Sequence, residues 1–410
     1  MQAYKFLKKG ASVTYKKANL TEKTRKALFA AGLHWDGPLQ VGTHQMAKSL
    51  LKMGWDVAFI SNPISPLHLL RGMSHELRQR FQLYKSGGKW SYDHHLYTYV
   101  PGAILAPARK PLLDNMALYE SWIKMTFPSL KHKLKENSFH EVDLLFIDCI
   151  HFTMLPKMID AKKIVFRIAD RMDSFAEAST LTNELGKKLA TCADCTIYTA
   201  SSLRDYAISM NAKNPCYIPN GVNFSHFKQG NADMPKEYDE IPAPRIIYVG
   251  AMEDWFDYLT LEYLAKSLPN ISFVCIGDAT KVKDKVHHTG NVYFLGRKKH
   301  EALPRYIKNA AIGLIPFWMD RNKELIAHIN PLKLYEYMAC GLPVVSSVWK
   351  ELEHLQTPAK LYHSKEEALA LLKSLLQEKI DPTIYIDYAA RNTWDERTET
   401  LLKILKFSSS

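Results

Sequence analysis

Short apolar runs alternate with amphipathic helical stretches along most of this 410-residue chain, and that alternation limits its fold more than any other feature. The runs "KALFAAG", "WDVAFIS", "VDLLFIDC", "KIVFRIAD", "DCTIYTAS" and "PCYIPNG" have strand length, with helical segments such as "HQMAKSLLKMG", "ELGKKLATCA" and "SLRDYAISMN" between them. Apolar strands joined through helices form a parallel sheet covered on both faces. A polar, proline-bearing segment, "HFKQGNADMPKEYDEIPAP", reads as a linker, and a second series follows it: "RIIYVGAM", "ISFVCIGD", "NVYFLG", "IGLIPF" and "PVVSS", again with helices between. The expectation is an α/β chain of two Rossmann-like domains facing a cleft, residues 27–224 and 225–378. A basic arm, 1–26, precedes them, and helices over 379–410 are expected to pack back across the interdomain region. Residues 62–140 are less regular, punctuated by prolines and basic loops.

The formal net charge is +12, with basic clusters such as "KFLKK", "KTRK" and "KHKLK" in the first half. That balance suits acidic partners. Phe81, Leu83, Tyr84, Trp90, Trp122 and Phe127, set among the charges, favour an anionic lipid surface over nucleic acid. No apolar run approaches the roughly 18–20 residues of a membrane-spanning helix, and no signal-peptide pattern opens the sequence. The expected location is cytoplasmic, peripheral at the inner face of the plasma membrane. The six cysteines are scattered, and the lone C-x-x-C at Cys192 and Cys195 lacks the second ligand pair of a zinc site, so buried thiols are expected.

Chemistry concentrates in "HINPLKLYEYMACGLPVVSS". Asn330 suits a helix N-cap and Pro331 the first helical position. Lys333 then falls in the first turn, where the helix dipole opposes a cation by about 0.3–1 kcal/mol. The placement makes sense if an anion binds there, since phosphate at a helix N-terminus is a favoured occupant. Glu336 lies one turn on, on the same face, where it can accept from vicinal hydroxyls such as those of a ribose. The preceding strand "GLIPF" delivers the stretch to the carboxyl edge of the sheet, the ligand crevice of open α/β folds.

Other strand ends carry further candidates. Gly250 closes "RIIYVG", with Met252 and Trp255 on the loop after it, and Gly296 closes "NVYFLG", with Arg297 and Lys298 next. "KIVFRIAD" ends at Asp170, a candidate general base, with helix capping the alternative role. "GLHWDGPLQVGTHQ" places His34, Trp35, Asp36 and His44 on the first strand-to-helix loop, a set suited to a sugar. A G-x-G-x-x-G is absent, which argues against a nicotinamide dinucleotide. So is a D-x-D pair, and no essential metal or other cofactor is expected.

With these residues in place, the sequence resembles the GT-B glycosyltransferases, among them the xanthan glucuronosyltransferase and related bacterial wall and capsule polysaccharide transferases. The pattern P-x-K-L-x-E-Y-x-A-x-G-x-P-V stands here as "PLKLYEYMACGLPVV". The resemblance implies a nucleotide-sugar donor, UDP-linked, with UDP-glucuronate as the candidate sugar nucleotide, and a glycan or lipid-linked acceptor. It implies donor contacts from Gly250, Met252, Arg297, Lys298, Phe317, Lys333 and Glu336, acceptor contacts in the first domain, and Asp170 as the base. Retaining relatives carry a glutamate eight residues before the position of Glu336; His328 stands there and favours inversion. A nucleotide-sugar 2-epimerase of the same architecture and a non-catalytic glycan- or membrane-binding protein remain as alternatives.

Overall fold

The computed structural model describes residues 24–37, 40–69, 72–108, 110, 112–174, 180–287, 289–321 and 323–407. Residues 1–23 of the expected basic arm lie outside it; Lys26 already belongs to the first strand.

The first sheet contains β1 (Lys26–Ala31), β2 (Asp56–Ser61), β3 (Lys89–Ser91), β4 (Leu96–Tyr99), β5 (Glu141–Ile147), β6 (Asp160–Ile168), β7 (Cys195–Tyr198) and β8 (Pro215–Tyr217). Their spatial order is β3-β4-β2-β1-β5-β6-β7-β8. All pairs are parallel except β3 with β4. That antiparallel edge hairpin departs from the expected rhythm. It turns through Tyr92, Asp93 and His94, all with positive φ, a conformation that β-type periodicity does not signal. Two apolar layers cover the sheet, one around Phe29, Phe146 and Ile197, the other around Leu145, Phe166 and Trp122.

The second sheet, in spatial order β11-β10-β9-β12-β13-β14, is parallel throughout. Its strands are β9 (Arg245–Val249), β10 (Ser272–Ile276), β11 (Val292–Phe294), β12 (Ile312–Ile315), β13 (Val344–Ser347) and β14 (Lys360–Tyr362). The segment read as a linker is largely part of this domain. Phe227, Tyr238 and Ile241 are buried in its core, because anchoring aromatic residues sit among the polar ones. At the C-terminus, the Thr383–Ala390 helix places Tyr385 and Ala389 in the second core, whereas Trp394, Leu401 and Leu405 of the following helical segment enter the first. Among the described residues, no helix is long and apolar enough to cross a membrane.

Several residues expected at a lipid surface are internal. Trp122 is fully buried, its indole N–H donating to the His151 carbonyl at 2.7 Å, and Leu83 is buried as well. Phe127, at 75% exposure, does face solvent. Of the cysteines, Cys195 and Cys275 are buried, but Cys192 is exposed on its helix end.

Candidate active site

Three glycines shape the carboxyl edge of the second sheet. Gly250 and Gly277, after β9 and β10, have φ of +148° and +143°, and Gly296, after β11, has φ +64°. A Cβ on Gly277 would lie 1.9 Å from the Gly250 carbonyl oxygen, so only glycine fits. A Cβ on Gly250 would stand 3.1 Å from Lys333 Cε and 3.3 Å from its Nζ. The bare backbone there leaves room for the lysine, which rises from the first turn of the Leu332–Ala339 helix.

The Lys333 ammonium lies 5.1 Å from the Tyr248 ring centroid and 4.8 Å from that of Phe317. Aromatic faces attract a cation without neutralising it. Loss of solvent pulls its pKa down to about 8, against the pull of Glu336. Burial pushes the Glu336 carboxyl up to about 7, against the pull of Lys333. The pair is thus an ammonium and a carboxylate one helical turn apart, both short of solvation and both suited to a ligand that supplies complementary polar groups. Glu336 Oε1 is also 4.0 Å from His300 Nε2. The His300 ring stacks on His226 at 4.6 Å, and burial holds its pKa down near 4, so it is neutral at physiological pH.

The other expected donor residues have these surroundings. Phe317 is buried, stacked on Trp349 at 5.5 Å, and serves as the platform under Lys333. The Met252 side chain is buried in the core; only its backbone follows the glycine edge. Arg297 is exposed and pairs with Asp278 at 2.8 Å. Lys298 is turned away into an ion pair with Glu237 at 2.7 Å, where the Tyr306 hydroxyl donates to the same oxygen at 3.0 Å. That partner lies 61 residues earlier, beyond the reach of motif reading. Asn330 is not the cap of the helix; Pro331 holds that position, and the Asn330 side chain bonds across the domain boundary.

In the first domain, β6 delivers Arg167 and, just past its end, Asp170. Burial pushes the Asp170 carboxyl up, and the Arg167 guanidinium draws it part of the way back. A raised pKa makes the carboxylate a stronger base. Among the described residues no hydrogen bond occupies the Asp170 carboxylate, whereas Asp173 is taken by Arg171 at 2.9 Å. Arg167 also attracts Asp148, which accepts from Gly32 N at 3.2 Å and from the Thr43 hydroxyl. Gly42 makes room for Arg167: a Cβ there would meet Nη2 at 2.7 Å and the Trp394 ring at 2.7 Å.

The expected acceptor set divides. His34, Trp35 and His44 are buried, with His44 4.7 Å from the Phe59 ring and Trp35 5.1 Å from it. Trp35 and His44 thus pack on the core side of the loop, and the ring nitrogens of His34 are buried without a hydrogen-bond partner among the described residues. Asp36 alone of the four is exposed. Sequence reading missed Tyr248, Gly277, His300, Arg167 and Asp148. Gly277 alone had a local signal, the same strand-end glycine that marks Gly250 and Gly296. Among the described residues, no cluster of three or more His, Cys, Asp or Glu side chains could hold a metal.

Comparison with known proteins finds matches to both halves of the chain. Residues 29–198 match the family model "Glucuronosyltransferase GumK, N-terminal domain", and residues 243–376 match "Glycosyl transferases group 1". The chain is similar to TuaH of Bacillus subtilis (strain 168), named as a glycosyltransferase of teichuronic acid biosynthesis. Identity is 25% over 115 residues, 27% of this chain and 28% of that protein, so the match spans little more than a quarter of the relative. Among solved structures, sucrose-phosphate synthase of Thermosynechococcus elongatus superposes with a TM-score of 0.67 at 16% identity, covering 93% of this chain and 98% of that one. Anabaena HepE, in complex with UDP and glucose, gives 0.63 at 14% identity, covering 93% and 99%. A trehalose-6-phosphate synthase solved in a study of glycosyltransfer with retention gives 0.61 at 13% identity, covering 93% and 98%. Such identities establish the fold, and the two family matches add the class: the chain is a GT-B glycosyltransferase resembling GumK.

Proposed function

We propose that this protein transfers a sugar from a UDP-linked donor to a hydroxyl of a glycan or lipid-linked acceptor in cell-surface polysaccharide synthesis, with inversion and without a metal. The observation that carries the reading is Lys333, an ammonium held by two aromatic faces beside the bare backbone of Gly250, at a helix N-terminus. A diphosphate is the anion such a place suits, and Glu336 one turn on suits the ribose hydroxyls. HepE, on the same fold, binds UDP and glucose, which supports the nucleotide.

In the proposed step, Asp170 takes the proton of the acceptor hydroxyl. The acceptor oxygen bonds to the anomeric carbon as the bond from that carbon to the diphosphate oxygen breaks. The electron pair leaves on UDP, whose charge Lys333 and the helix end stabilise. His328 stands where retaining relatives carry a glutamate, and that replacement is the support for inversion; its Nδ1 is 2.8 Å from Ser202 Oγ of the first domain. UDP-glucuronate is the first donor to test, given the GumK match in the first half.

A lipid-linked acceptor is supported by an apolar groove of the first domain, about 220 Å³, lined by Ile64, Phe81, Tyr84, Ile104 and Phe127. In this reading the protein works at the cytoplasmic membrane face, where such an acceptor is presented. The test is UDP release from a panel of UDP-sugars, with and without a lipid-linked acceptor extract, for the wild type and Asp170→Asn. Acceptor-dependent release that Asp170→Asn abolishes, with UDP binding kept, is expected. Turnover by Asp170→Asn would remove this residue from the mechanism, and acceptor-independent conversion of the donor would favour an epimerase.

A further inference from the structure

Two asparagines from opposite sides of the domain boundary hold one another. The Asn220 backbone N–H donates to Asn330 Oδ1 at 3.2 Å, and Asn220 Nδ2 donates to the Asn330 carbonyl at 2.8 Å. On the first-domain side, Asn220 Oδ1 accepts from Arg167 Nη2 at 3.0 Å. On the other side, Asn330 Nδ2 donates to Glu351 Oε1 at 2.9 Å, and its Oδ1 accepts a second bond from the Tyr335 hydroxyl at 3.1 Å.

Glu351 extends the joint. Its fully buried carboxylate accepts from Ser201 N at 2.6 Å, Ser201 Oγ at 2.8 Å and the Tyr217 hydroxyl at 2.8 Å, all from the first domain. A buried polar network whose members are satisfied is rigid, because any displacement leaves a desolvated group without a partner. Here the rigid unit spans the gap between two domains, the place where an error in their relative position would arise.

We propose that Asn220 and Asn330 are positioning residues for sugar transfer, fixing the separation between the proton-accepting and leaving-group halves of the site. Arg167 stands three residues before Asp170, and Asn330 three residues before Lys333, so the pair lies on a hydrogen-bonded route between the two reacting ends. The proposal rests on reading Asp170 as the base and Lys333 as the leaving-group cation. The positioning role needs neither asparagine to touch substrate. Displacement at a carbon needs attacking oxygen, carbon and leaving oxygen held together, and a misplacement of about 1 Å can cost about 100-fold in rate.

The experiment compares wild type, Asn220→Ala, Asn330→Ala and the double variant in UDP release, using whichever of UDP-glucose and other UDP-sugars turns over in the wild type. UDP affinity is measured by calorimetry. Each single variant is expected to lose about 10- to 100-fold in kcat. Asn220→Ala keeps the backbone N–H that donates to Asn330 Oδ1, and Asn330→Ala keeps the backbone carbonyl that accepts from Asn220 Nδ2, so each single variant breaks one of the two bonds and the double variant should be slower than either. UDP affinity should stay within about twofold, since the nucleotide contacts lie in one domain. Wild-type kcat in the folded single variants, or a double variant no slower than the worse single one, would overturn the proposal. A parallel loss of UDP affinity and kcat would also overturn it, showing general damage. Should the alanine variants not fold, Asn220→Asp keeps the acceptor for Arg167 and removes the donor to the Asn330 carbonyl, with the same expectation. Turnover by Asp170→Asn would defeat the base assignment instead, and the asparagine variants would still report on the joint.

Discussion

Lys333 Nζ sits 4.8 Å from the centre of the Phe317 ring, and Phe317 in turn lies flat on Trp349. The ammonium is positioned by a surface that gives it no counter-charge. That arrangement leaves its charge available to a bound anion.

Lys333→Ala should therefore weaken UDP binding and lower kcat by about 100- to 1,000-fold, the range for removing one charge-stabilising group. Phe317→Leu should cost less, because the lysine remains and only its platform changes. Calorimetry with UDP and steady-state rates check both; equal UDP affinity in Lys333→Ala and wild type would refute the diphosphate assignment.

UDP affinity should pass through a maximum between about pH 7 and 8. Below about 7 the Glu336 carboxyl, its pKa raised by burial, takes up a proton and stops accepting from hydroxyls. Above about 8 the empty site's Lys333, its pKa lowered by burial, loses its proton and its attraction for phosphate. Binding at higher pH should draw a proton onto Lys333, since the bound anion raises its pKa again. Titrations in buffers of different ionisation enthalpy measure that uptake; affinity that stays flat from about pH 6 to 9 would contradict the two shifts.

Gly277→Ala should destabilise the second domain by about 2–4 kcal/mol through backbone strain and overlap with the Gly250 carbonyl. Chemical denaturation measures it. Gly290→Ala, with open space around its Cβ position, is the control.

Lys298→Met should leave UDP affinity within about twofold, because the lysine pairs with Glu237 and does not face the donor edge. Its stability cost should be about 0–1 kcal/mol, as for other partly exposed ion pairs. Lys298 holds the Glu237 carboxyl down near 2, so the pair's contribution is present at neutral pH and fades as pH falls from about 4.5 toward about 2. A large loss of UDP affinity in Lys298→Met would restore this residue to the donor site.

The sequence by itself determined the two βα series, the glycines that end β9 and β11, and the spacing that puts Lys333 and Glu336 on one helical face. These features are local: strand and helix periods, a positive φ and a helix dipole act within a few residues. The tertiary structure alone decided what Asn330, Lys298, His34 and His44 do. Asn330 has every mark of a helix cap, yet its partner Asn220 is 110 positions away. The two histidines have the chemistry of a sugar site, yet both are buried, His44 against Phe59 and Trp35. Hydrogen-bond competition and burial are settled by which surfaces meet once both sheets have formed, and that meeting has no signature in the few residues around any one of them.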